Sequence, residues 1–106
     1  MLKFKKGVKV AGLQPEALIA VDIAESVYSN SGRDCVITSA RGDKHSAEFS
    51  RHYAGMAIDL RIRHLTAKQT KEIYAGLKKV LSSDYNVLLE ASHIHVSYRP
   101  RYPGDV

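Results

Sequence analysis

Residues 85 to 98 read Tyr85-Asn86-Val87-Leu88-Leu89-Glu90-Ala91-Ser92-His93-Ile94-His95-Val96-Ser97-Tyr98, and the pairing within this stretch decides how the chain folds. Two β-forming runs, Tyr85 to Glu90 and His93 to Tyr98, flank Ala91-Ser92. With those two residues as the turn, Glu90 lies opposite His93, Leu89 opposite Ile94, Leu88 opposite His95 and Val87 opposite Val96. Opposed residues share a face of a sheet. Val87, Leu89, Ile94 and Val96 are therefore expected in the core, and Glu90, His93 and His95 together on the other face. The apolar pattern and the polar cluster therefore demand the same pairing. Ala-Ser is a poor type I′ turn, which leaves a longer or bulged connection open.

Working outward, Met56 to Ile62 also alternates. Met56, Ile58, Leu60 and Ile62 fall on one face, with Ala57, Asp59 and Arg61 on the other, as in a half-buried strand. Cys35 to Ser39 is apolar and β-branched, a further strand. Residues 40 to 54 are polar and irregular, a long loop for a small domain, and such loops are usually functional or disordered. Gln14-Pro15-Glu16 begins a helix with proline in its first turn and an acid near the positive end of the dipole. Ala20, Ile23, Ala24 and Val27 follow at helical spacing, and Asn30-Ser31-Gly32 stops it. A second helix opens at Leu65-Thr66 with Thr66 as N-cap. It carries Ile73, Leu77, Val80 and Leu81 as its apolar stripe and closes at Ser82-Ser83-Asp84. Pro100 to Val106 reads as an extended tail. The fold expected is α+β: helices packed on an antiparallel sheet of about four strands.

The 106 residues suit one domain, 1–106, with a single two-layer core. Apolar residues make up 44% and charged residues 25%, an ordinary globular balance. No stretch approaches the ~18 apolar residues of a membrane span. Met1 to Val10 interleaves lysines with apolar residues and lacks the apolar run of a secretory signal, so synthesis in the cytoplasm without a signal peptide is expected. Cys35, the only cysteine, excludes an internal disulfide and a thiolate zinc site, and its apolar setting makes it a core residue. The net charge of +5 suits an anionic partner such as an anionic cell wall. The basic residues are spread thinly and form no nucleic-acid motif, so no nucleic acid is expected as partner.

The chemistry lies in two segments, Ser50 to Asp59 and Glu90 to Val96. His-x-His on a strand places both rings on one face about 7 Å apart. The first segment adds His52 ahead of its strand and Asp59 on that strand's polar face, with Gly55 and Ala57 keeping the backbone slim between them. A catalytic zinc takes three nitrogen or oxygen ligands and a water. His52, Asp59 and His95 are the expected ligands of one Zn²⁺. Glu90, diagonal to His95, is the candidate base, and His93 sits beside the metal to orient water or stabilise charge. Arg41, in Thr38-Ser39-Ala40-Arg41-Gly42, is placed to hold a substrate carboxylate or an oxyanion by a bidentate contact. Taken singly, each of these residues is more often an ordinary surface or hydrogen-bonded group; the joint pattern carries the reading. His45 is read as a loop residue.

Ser50-x-His52-Tyr53-x-Gly55-x-Ala57-x-Asp59, followed by Glu90-x-x-His93-Ile94-His95-Val96, resembles the D-Ala-D-Ala carboxypeptidase group of zinc peptidases. It is most similar to the small single-domain forms of phages and prophages, in a clan that also holds L-alanyl-D-glutamate endolysins and the hedgehog signalling domain. The likeness runs from about Cys35 to Pro100. It implies a hedgehog/D,D-peptidase-like fold with a zinc cleft on the open face of the sheet, and hydrolysis of peptidoglycan stem or crosslink peptides. It also implies His52, Asp59 and His95 as zinc ligands, Glu90 as base, His93 as the neighbouring non-ligand histidine, and Arg41 with Ser50 in substrate binding. Many members carry an acidic or amide residue immediately before the His-x-His, where this chain has Ser92.

Three readings follow. The first is a zinc metallopeptidase acting on the cell wall after phage- or lysis-dependent release. The second is a zinc-binding but catalytically inactive wall-recognition domain, and the third a basic nucleic-acid module motivated by charge alone. The bond cut and the oligomeric state are left open by the sequence.

Overall fold

The computed structural model describes residues 1–40 and 57–98. In chain order the elements are β1 (Leu2–Phe4), α1 (Pro15–Asn30), β2 (Cys35–Ser39), β3 (Ala57–Arg61), α2 (Ala67–Leu81), a 3₁₀ turn (Ser82–Asp84), β4 (Tyr85–Leu89) and β5 (His93–Tyr98). The strands form one sheet in the order β1-β2-β3-β5-β4. All neighbours pair antiparallel except β1 and β2, which are parallel. The described residues are therefore α+β, with two helices and a mixed five-stranded sheet rather than a four-stranded antiparallel one. The added strand β1 has only three residues, too few for alternation to register as a signal. Its pairing is long-range: α1 is the crossover that returns the chain alongside it, as a parallel neighbour requires.

Sequence chemistry sets the helix ends. Pro15 occupies the first turn of α1, and Gly32 stops it with φ at 71°, where a side chain would be strained. At the start of α2 a reciprocal capping box forms. Gln69 N–H donates to Thr66 Oγ1 at 3.1 Å, and Thr66 N–H donates to Gln69 Oε1 at 3.0 Å.

Both helices bury one side against the same sheet face. Ala20, Val21, Ala24 and Tyr28 of α1 and Ile73, Leu77 and Leu81 of α2 form one cluster with Cys35, Ile37, Ile58, Leu60, Val87, Ile94 and Val96. Each large aliphatic side chain there contributes about 1.5–3 kcal/mol by leaving water. The helices meet at Gly76, where a Cβ would stand 3.1 Å from Val27 Cγ1. Cys35 is in the core as expected, and burial pushes its thiol up to about 12.

Two residues expected in the core are exposed. Val80 is 55% exposed, because the buried row of α2 runs Ile73–Leu77–Leu81 in steps of four and Val80 lies off it. Leu89 is 43% exposed, being the last residue of an edge strand with a neighbour on one flank only. Among the described residues no helix is long and apolar enough to cross a membrane.

Candidate metal centre

The hairpin has the register read from its sequence. Val87 pairs with Val96, Leu88 with His95 and Leu89 with Ile94, while Glu90 N–H donates to the His93 carbonyl at 2.9 Å across a two-residue connection. On its other side β5 pairs with β3, bringing Asp59 opposite His95 and Arg61 opposite His93. Ile58 and Leu60 face the helices with Ile94 and Val96. Asp59, His93 and His95 consequently emerge together on the face away from the helices.

They meet there. His95 Nδ1 lies 2.9 Å from Asp59 Oδ1, and His93 Nε2 lies 3.6 Å from the same oxygen. His93 Nε2 is also 3.0 Å from Glu90 Oε1, and His93 Nδ1 is 3.0 Å from Ser92 Oγ. One neutral tautomer satisfies both His93 contacts: Nε2–H donates to the Glu90 carboxylate, and Nδ1 accepts from the Ser92 hydroxyl. Asp59 is the most buried of the group at 13% exposure, His95 follows at 19%, and Glu90 reaches toward solvent at 50%. Asp59 is enclosed because β3 is central, with β2 and β5 on its two sides. The Thr38 hydroxyl donates to the Asp59 carbonyl at 3.4 Å, across the irregular β2–β3 register.

Two of the three expected zinc ligands are thus adjacent, and the expected base is joined to them through His93. His52, Arg41 and Ser50 lie outside the described residues. The same holds for His45 and the tail from Pro100. Among the described residues no three imidazole, carboxylate or thiolate groups are arranged to hold a metal ion. Asp59 Oδ1 and His95 Nδ1 are close enough for one tetrahedral metal ion to reach both. Ligand atoms at 2.0–2.1 Å from the metal stand about 3.3 Å apart, so the 2.9 Å between Oδ1 and Nδ1 needs to open by a few tenths of an ångström.

The contact between Glu90 and His93 follows the pairing read from the sequence, but sequence reasoning did not anticipate a pocket beside them. A concavity of about 270 Å³ is lined by Lys5, Thr38, Arg61, Arg63, Ser92 and His93. Alternation along β3 already assigned Arg61 to the face of Asp59. The parallel pairing that carries Lys5 to the same place has no signal in the sequence.

Searches against protein-family models, curated proteins and solved structures return no match.

Proposed function

We propose that this protein is a zinc-dependent peptidase that hydrolyses stem or crosslink peptides of peptidoglycan. What supports the reading most is the meeting of Asp59 with His95 at 2.9 Å, with Glu90 tied to the same group through His93. Asp59 and His95, with His52 as third ligand, would hold the zinc. A zinc ion held this way supplies a Lewis acid for a carbonyl oxygen and lowers the pKa of its bound water toward 7. The half-exposed Glu90 is suited to take a proton and return it to a leaving amine, since solvent and substrate can both reach it. His93, 3.0 Å from Glu90 and 3.6 Å from Asp59, orients that carboxylate and spreads its charge. Arg41 and Ser50 would hold the substrate. A hedgehog/D,D-peptidase-like architecture belongs to this proposal, resting on the motif resemblance.

A second reading, a zinc-binding recognition domain without turnover, is favoured by one observation. The position before the His-x-His is Ser92, whose hydroxyl meets His93 and offers no proton-accepting carboxylate. One experiment separates the two: release of free amines from purified peptidoglycan with and without EDTA, with zinc determined on the same sample. EDTA-sensitive release with about one zinc per chain, the stoichiometry of a single catalytic site, supports the peptidase. Zinc without release supports the recognition domain, and absence of zinc overturns both.

A further inference from the structure

The 270 Å³ pocket beside the cluster is built almost wholly from cations and hydroxyls. Arg61 on β3 stands opposite His93 on β5, and Arg63 follows just past the end of the same strand. Lys5 enters from the far side of β2, held there by its backbone N–H donating to the Ile37 carbonyl at 2.8 Å. Thr38 and Ser92 complete the lining. Among the described residues Lys5, Arg61 and Arg63 take part in no ion pair, whereas nearby Lys3 is paired with Asp34 at 2.8 Å. Three cations gathered around one concavity raise the local potential, and two guanidinium groups offer the forked donors that carboxylates and phosphates match. The volume suits one small group rather than a whole peptide.

The geometry points to an oxyanion subsite here, taking a carboxylate or phosphate group. It lies two strand residues along from Asp59 and His95 at the level of Arg61 and His93, about 7 Å away. His93 lines the pocket and also touches Glu90, so an anion bound against Arg61 is sensed by the residue that orients the proposed base. The subsite stands on its own charge and shape and does not depend on the zinc reading.

The test uses the full chain freed of metal with EDTA, so that failure of the zinc reading leaves it unaffected. Backbone amide NMR spectra are recorded at low salt during titration with inorganic phosphate and, separately, acetate, with chloride as the ionic-strength control. Saturable shifts centred on Thr38, Arg61, Ser92 and His93 are expected, and the anion that saturates at lower concentration identifies the class. Arg61→Gln/Arg63→Gln should weaken binding by at least about tenfold, since two charge-assisted contacts are lost. Lys68→Gln/Lys79→Gln on α2 should leave it unchanged. The Arg61 carbonyl that holds Tyr28 is kept in the double variant. Should that variant nonetheless lose its dispersed spectrum, Lys5→Gln, at an exposed side chain on the opposite wall, tests the same weakening. Shifts that merely follow those of chloride, undiminished binding in the pocket variants, or equal weakening in the α2 variant would each overturn the assignment.

Discussion

Replacing Asp59 by alanine separates metal binding from ordinary packing. Its Oδ1 stands 2.9 Å from His95 Nδ1 and 3.6 Å from His93 Nε2, so one substitution removes the atom common to both imidazoles. Zinc that binds only the folded chain, at about 100 times its dissociation constant, stabilises it by about 2.7 kcal/mol. In a domain of about 100 residues each kcal/mol is worth about 4–8 °C. The unsubstituted protein should therefore melt roughly 10–20 °C higher in zinc than in EDTA. In Asp59→Ala that increment should shrink to less than about a quarter, because two protein ligands hold zinc far more weakly than three. The EDTA baseline should also fall, by a smaller amount. The Asp59–His95 hydrogen bond joins side chains 13% and 19% exposed and contributes about 1–2 kcal/mol after allowance for solvent. Differential scanning calorimetry in the two media, with zinc measured after dialysis, reads both effects. An undiminished zinc increment in Asp59→Ala would refute Asp59 as ligand, and no increment in the unsubstituted protein would refute the metal centre itself.

Glu90→Ala should lower peptidoglycan hydrolysis by about 10²–10⁴-fold while leaving bound zinc unchanged, and full activity would remove Glu90 from the base role. Tyr28→Phe should cost about 1–2 kcal/mol in urea denaturation, because the buried hydroxyl donates to the Arg61 carbonyl at 2.8 Å and would leave it unpaired; an unchanged midpoint would count against that bond. Burial pushes the Cys35 thiol up from 9.0 to about 12 in the folded chain. The unfolded state thus loses its proton first, so this stabilisation is complete below pH 9.0 and is lost as pH rises toward about 12, by up to about 1.4 kcal/mol per pH unit. Cys35→Ala should flatten that alkaline limb, and an equally steep limb in the variant would refute the attribution.

The sequence by itself determined the parts whose rules are local. Period-two alternation placed Ile58 and Leu60 opposite Asp59, and Ile94 and Val96 opposite His93 and His95, because successive strand side chains must point to opposite faces. The hairpin register followed, since a one-residue slip would have set the ionisable residues of one strand against the apolar residues of the other. Helix limits were equally legible: Pro15, Thr66 as N-cap and Gly32 act on backbone groups a few residues away, although the answering side chain of Gln69 was not read from the sequence. Only the tertiary structure decided what depends on neighbours distant in the chain. It set β1 parallel to β2, left Leu89 exposed on an edge and Val80 off the buried row of α2, and joined His93 and His95 to Asp59. It also gathered Lys5, Arg61 and Arg63 around one pocket, although Lys5 and Arg61 are separated by a crossover helix and two strand pairings. A residue's alternation fixes which face it occupies, while its partners on that face depend on strand order, and strand order follows from the burial of the whole core rather than from any local pattern.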